Sequence, residues 1–225
     1  MDSDDETPTL SAETQRALQD FYANQNTGSD AQFVSENWQL SQFWYLEATS
    51  KTLAEEVLLA CQDGEWVACL SCPSLYKSLL DLQARNPDPQ KRLHIYLFEF
   101  DDRFLDMAKE NFVKYDYTKP EDIPSELRGK FSFIAADPPF LANDCLGGIA
   151  ITCSFLQANA DKKLLLCTGE VMEEAAASLL GVVKTAFAPR HKSKLSNTFA
   201  SFTNYEPVVL NKLGGANSEE KLDEQ

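Results

Sequence analysis

No apolar run of about 18 residues occurs in this 225-residue chain, so no membrane-crossing helix is expected. The opening MDSDDETPTL has neither a basic start nor an apolar stretch. It matches neither a secretory signal nor an Arg-rich transit peptide, and a cytoplasmic location is the expectation. Basic residues are scarce: 20 Lys and Arg stand against 35 Asp and Glu, for a formal charge of −15. The acidic ends account for less than half of that, so the folded part is itself negative. Such a surface repels phosphate backbones, which proteins hold by neutralising them with Lys and Arg. Nucleic acid is a disfavoured partner and a basic protein a favoured one. The single Cys-x-x-Cys pattern, Cys69-Leu-Ser-Cys72, lacks a second pair and a neighbouring His. No metal site is expected from it. The six cysteines read as reduced, small apolar residues. No G-x-G-x-x-G fingerprint is present either, which argues against a cofactor held by its pyrophosphate.

What is there alternates. Residues 1–9 and 211–225 read as disordered tails. Ser11 can cap a helix over 10–22, and 10–62 as a whole reads as a helical segment. Leu46, Ser50, Leu53, Val57 and Cys61 recur at helical spacing, which predicts a helix running to about Cys61. The stretch 63–210 then reads as one domain of strands and helices in turn. Strands are predicted at 66–71, 94–100, 111–116, 131–136 and 163–168, followed by a closing pair at 184–189 and 198–205. Helices are predicted from a cap at Ser74 through Leu82, and over 103–110, 121–128, 146–159 and 170–180, with Gly181 just past the last. Repeated β-α-β units imply an α/β fold with a mostly parallel sheet and helices on both faces.

Ligands of such sheets sit outside the carboxyl ends of the strands. The residues after each predicted strand are therefore the candidates. Ser71-Cys72-Pro73-Ser74 follow the first, Glu99 and Asp101 the second, Asp116 and Tyr117 the third, and Asp137-Pro138-Pro139-Phe140 the fourth. Glu99 can accept both hydroxyls of a ribose. Asp101 competes for that role, or caps the helix that follows. Asp116 can accept an adenine amine, or simply make a turn. The two carboxylates suggest an adenosine-bearing cofactor. The proline-containing first turn serves phosphates poorly, whereas acidic walls suit a cation. S-adenosylmethionine, a sulfonium without phosphates, fits best.

Asp137-Pro138-Pro139-Phe140 ends an apolar run abruptly. Pro139 has no N–H and biases Pro138 to an extended conformation, which frees the Pro138 carbonyl. With the Asp137 carboxylate it makes two acceptors suited to an amine, and Phe140 adds an aromatic face. The plainer alternative is a strand stop with a rigid turn.

This motif resembles the [N/D]-P-P-[Y/F] motif of amino-group methyltransferases. Together with Glu36-Asn-Trp-Gln-Leu-Ser-Gln-Phe-Trp-Tyr45, Tyr96-Leu-Phe-Glu-Phe-Asp101, Tyr115-Asp-Tyr117, Leu165-Leu-Cys-Thr-Gly169 and Pro189-Arg-His191, it resembles the elongation factor 1-alpha lysine methyltransferase 1 family. Members of that family once carried an N6-adenine DNA methyltransferase label. The resemblance spans roughly residues 10–205. Phe140 stands where Tyr is common, and 88–91 looks like a longer loop. The resemblance implies a class I methyltransferase fold, with a seven-stranded sheet whose final strand is antiparallel. It implies S-adenosylmethionine as cofactor and a lysine of elongation factor 1-alpha as substrate; a monomer is the expectation. Ser41-Gln42-Phe43-Trp44 would cover the cofactor, although one of the two aromatics can instead pack in the core. Ser71, Pro73, Glu99, Asp116, Tyr117 and Asp137 would complete the cofactor site, and Asp137 to Phe140 the catalytic one. The rival is an N6-adenine methyltransferase on DNA or RNA, which would need more basic surface than 184–194 offers.

Overall fold

The computed structural model describes residues 34–85, 91–158 and 162–212. The helix expected over 10–22, the tail 1–9 and nearly all of 211–225 lie outside the described residues. Seven strands form one sheet: β1 Trp66–Leu70, β2 His94–Glu99, β3 Phe112–Lys114, β4 Phe133–Ala136, β5 Lys163–Gly169, β6 Val183–Lys184 and β7 Phe199–Thr203. Their order is β3-β2-β1-β4-β5-β7-β6. The first five strands run parallel, and β7 is antiparallel to both its neighbours. That is the expected seven-stranded sheet.

The helices are α1 Glu47–Ala60, α2 Pro73–Arg85, α3 Leu105–Ala108, α4 Asn143–Leu156 and α5 Glu173–Leu180. Ala68, Leu70, Phe98, Ile134 and Leu166 join Ile149 and Cys153 of α4 and Ala176 of α5 in one buried cluster. The alternate residues Val67, Cys69, Leu97, Phe133 and Ala135 point to the other face and are as deeply buried. There α1 packs on α2, and α2 on β1 and β2. Both sheet faces are covered, which is why β1 and β4 read as unbroken apolar runs rather than alternations. All six cysteines are free and buried, as their reading as small core residues requires.

Several elements differ from the sequence expectation. Residues 121–128 hold only a 3-10 turn, Ser125–Leu127. Pro124 lies inside that stretch, and its ring and missing N–H break a continuous helix. The 103–110 helix is split into Asp102–Phe104, Leu105–Ala108 and Lys109–Asn111, with Lys109 at φ 49°. The 170–180 helix opens as a 3-10 turn before α5, and Gly181 ends it in the left-handed conformation at φ 65°. The helix after β1 starts at Pro73, so Ser74 lies in its first turn rather than capping it. The helix expected over 146–159 sits three residues earlier as α4. It carries Gly148 against the Tyr117 carbonyl: a Cβ there would come within 2.2 Å of that oxygen. The closing strands are shorter than predicted but pair as expected.

A buried carboxylate ties the chain after β7 to α1. Glu56 is fully buried and accepts from the Tyr205 hydroxyl at 3.1 Å, Val208 N at 3.0 Å and Val209 N at 2.7 Å.

Candidate active site

The parallel strands bring the ends of β1 to β4 to one edge. A cavity of about 650 Å³ opens there. Ser41, Gln42, Phe43, Trp44, Ser71, Pro73, Glu99, Asp116, Tyr117, Asp137, Pro138, Pro139 and Phe140 all line it. Asp101 does not. It is buried and caps the turn that follows, accepting from Arg103 N at 3.0 Å and from the Arg103 guanidinium. Asp101 caps the turn rather than facing the cavity.

Ser71 and Ser41 both hold positive φ, 53° and 51°, and both line the cavity. L-residues enter that region at a cost, and such strain collects at functional sites. Glu99 is buried at the end of β2, and its Oε1 accepts from Phe100 N at 2.9 Å and Asp101 N at 3.1 Å. Burial pushes its carboxyl up to about 7, against the lowering effect of those two bonds. Asp116 Oδ1 accepts from Thr118 N at 2.9 Å and Thr118 Oγ1 at 2.7 Å. These bonds hold its carboxyl below the usual range. It makes a turn and lines the cavity at once.

Asp137 takes its backbone bearing from β1, donating to Leu70 O at 3.0 Å. Its Oδ2 accepts from the Tyr45 hydroxyl at 2.6 Å. Part of its surface opens on the cavity, and protein crowds the rest. That burial pushes its carboxyl up to about 7. The Tyr45 bond opposes the rise and the nearby Glu99 adds to it. No donor among the described residues reaches the Pro138 carbonyl. Phe140 is 41% exposed and meets Tyr117 edge-on, with centroids 5.9 Å apart.

The segment 36–46 closes one side. Trp44 is buried and packs edge-on against Phe104 at 5.8 Å. Gln42 donates to Asp101 Oδ2 at 3.0 Å. A second strap, residues 190–193, runs alongside. Leu46 N donates to Arg190 O at 2.9 Å, Lys192 N to Trp44 O at 2.7 Å, and Arg190 N to Thr49 Oγ1 at 3.1 Å. Glu36 bonds both segments, accepting from Trp44 N at 2.8 Å and Ser193 Oγ at 2.5 Å. The basic stretch thus uses its backbone to hold the cavity wall.

The turn Ser71-Cys72-Pro73-Ser74 lines the cavity throughout, but among the cavity residues that sequence reasoning missed are Tyr45, Tyr115, His191 and Phe199. Tyr45 and His191 come from distant segments and meet through a backbone bridge and ring contact. Burial holds the His191 imidazole down to about 4, so it faces the cavity uncharged at neutral pH. Among the described residues no cluster of side chains could hold a metal ion, and no helix is long and apolar enough to cross a membrane.

A family model described as "Probable N6-adenine methyltransferase" matches residues 36–207. The human protein named EEF1A lysine methyltransferase 1 is 43% identical over 212 residues, covering 90% of this chain and 94% of the human one. The chain belongs to the EEF1A lysine methyltransferase 1 family. A Caenorhabditis elegans relative of the family, named as a protein-lysine N-methyltransferase, is 40% identical over 93% of this chain and all of its own. The Saccharomyces cerevisiae protein-lysine N-methyltransferase EFM5 is 38% identical over 76% of this chain and 73% of its own. Among solved structures, the branched-chain polyamine synthase of Thermus thermophilus superposes with a TM-score of 0.56 at 13% identity. It covers 84% of this chain and 62% of that one. At that identity the likeness speaks only to the family's fold, a class I methyltransferase sheet.

Proposed function

We propose that the protein transfers a methyl group from S-adenosylmethionine to a lysine amine of elongation factor 1-alpha. One observation carries the reading: Asp137-Pro138-Pro139-Phe140 and the acidic ends of β2 and β3 share one cavity, in a chain of this family.

The residues fit the cofactor. Glu99 suits the ribose hydroxyls and Asp116 the adenine amine. Ser41 to Trp44 cover them, and Ser71, Pro73 and Tyr117 complete the wall. Neither glycines nor basic residues prepare the first turn for phosphate. When bound, the cofactor supplies an electrophilic methyl on a sulfonium. The chain's own part is to hold and aim the amine. The Asp137 carboxylate and the Pro138 carbonyl accept its N–H groups, and Phe140 lies against the cation. A lysine arrives protonated, and one proton must leave before attack. Asp137, pushed up to about 7, is partly ionised at neutral pH; its ionised form accepts an N–H that the amine keeps, and the departing proton goes to water. Two fixed acceptors leave the nitrogen lone pair one direction, so positioning supplies much of the rate.

The reading takes residues 10–62 as the segment over the cofactor and 63–210 as the catalytic domain, in a cytoplasmic monomer. The adenine reading is weaker. A net charge of −15 opposes a phosphate backbone, and the human, worm and yeast relatives are all named for lysine.

The test is incubation with labelled S-adenosylmethionine and, separately, elongation factor 1-alpha, unrelated proteins and DNA, with Asp137→Ala as control. Mass spectrometry should place the label on a lysine of the elongation factor, and Asp137→Ala should abolish it. Label on adenine, or undiminished turnover by a folded Asp137→Ala variant, would sink the reading.

A further inference from the structure

Tyr45 is 3% exposed, and its hydroxyl lies 2.6 Å from Asp137 Oδ2. A buried tyrosine hydroxyl needs a partner, and the bond found here runs to the carboxylate at the end of β4. The ring is itself fixed. It lies against His191 at 4.9 Å, and His191 packs on Phe199 at 4.4 Å. The Tyr45 and His191 backbones form an antiparallel bridge. Asp137 is thus held at two points: its backbone N–H donates to Leu70 O of β1, and its carboxylate Oδ2 accepts from Tyr45. One oxygen, Oδ1, is left without a described hydrogen bond in the cavity wall.

We propose that Tyr45 is the positioning residue for Asp137: by occupying Oδ2 it commits Oδ1 to the substrate amine. This rests on the amine-holding role of Asp137 above. The bond also favours the ionised carboxylate, because a donor to the charged form stabilises it. The titratable groups facing Asp137 are Tyr45 from the 36–46 segment, Glu99 at the end of β2, Cys72 after β1 and Cys167 on β5. Of these, Tyr45 opposes the rise of the Asp137 carboxyl and Glu99 adds to it. His191 faces Tyr45 rather than the carboxylate.

Tyr45→Phe keeps the ring and removes the donor. Its kcat should fall about 10- to 100-fold, the usual effect of losing a hydrogen bond to a charged group. The acid limb of its rate profile should move to higher pH, because the carboxylate loses a stabilising donor. Thr49→Val cuts the Arg190 N bond and loosens the strap without touching Asp137, so it should leave the acid limb in place. A site-specific 3,5-difluorotyrosine at position 45 is a stronger donor on an almost unchanged ring. It should move the limb to lower pH, and it keeps the test alive if Tyr45→Phe misfolds. Wild-type kcat in Tyr45→Phe, or a loss with an unmoved acid limb, overturns the proposal. Asp137→Asn separates the two readings. Its inactivity beside a fully active Tyr45→Phe condemns only the role of Tyr45, whereas a fully active Asp137→Asn condemns the amine-holding role itself.

Discussion

The Gln42 side-chain amide donates a 3.0 Å hydrogen bond to Asp101, across 59 residues of chain. Arg103 donates back to the Gln42 oxygen at 3.0 Å. Both polar ends of a buried side chain are thereby used, and they latch the 36–46 segment to the end of β2. Gln42→Ala leaves the buried Asp101 short of a bond, while the exposed Arg103 can turn to water. Loss of about 1–2 kcal/mol is the usual scale for such a change. S-adenosylmethionine binding, measured by calorimetry, should weaken roughly 5- to 30-fold. Unchanged affinity would mean that this segment does not cover the cofactor.

Glu99 and Asp137 are both raised to about 7 by burial. At pH 6 they are mostly protonated, and at pH 8 mostly ionised. A sulfonium favours the ionised forms, so binding it at low pH must expel protons. Affinity for S-adenosylmethionine should rise between pH 6 and 8, roughly tenfold for one fully coupled carboxylate. S-adenosylhomocysteine, neutral at sulfur, should gain much less. Equal pH slopes for the two ligands would show that the carboxylates do not sense the cation.

The same shift affects stability. The Asp137 carboxyl in the fold lies above its ordinary 3.8, so the fold favours its protonated form. That contribution is full below about pH 4 and lost as pH rises through 7. Asp137→Asn keeps an acceptor for Tyr45 and removes the titration. The variant should unfold at higher denaturant than the parent at pH 8, by on the order of 1–3 kcal/mol, with the gap closing toward pH 4. A gap independent of pH would contradict the raised carboxyl.

Gly148 has no room for a side chain. A Cβ would stand 2.2 Å from the Tyr117 carbonyl oxygen and 3.2 Å from its carbon, both backbone atoms. Gly148→Ala must push α4 away from the loop that carries Asp116 and Tyr117. Overpacking of this kind costs about 1–3 kcal/mol or more. Thermal denaturation should show a lower Tm, and calorimetry a weaker cofactor affinity. A variant with both unchanged would mean the loop yields freely.

The strand ends were legible because each is a local event: an apolar run stops, and an acid or a proline follows. Parallel topology then gathers them without further information, so Glu99, Asp116 and Asp137 meet in one cavity. The split between Glu99 and Asp101 was open in the sequence, and one hydrogen bond to Arg103 N gives Asp101 its capping role. Pro124 sits within the overlong 121–128 helix and is itself the local signal that the helix breaks there. Tyr45 and His191 were not legible. Their meeting depends on a chain return after β6 that no local pattern encodes, and the non-glycine left-handed turns at Ser41 and Ser71 carry no composition signal.

Glu56 also limits how this protein can be shortened. It lies within α1, ahead of the sheet, yet it collects donors from Tyr205, Val208 and Val209, beyond the last strand. Cutting the chain after β7 would strand a buried carboxylate, and cutting away α1 would strand the backbone N–H groups of Val208, Val209 and Leu210 and a phenol. A buried charge robbed of its partners costs about 3–5 kcal/mol, a large part of a small domain's whole stability. The sheet alone is therefore no independent catalytic fragment. Expression boundaries and fusion tags belong outside both arms of this clasp, and fragments drawn tightly around the strands should be insoluble.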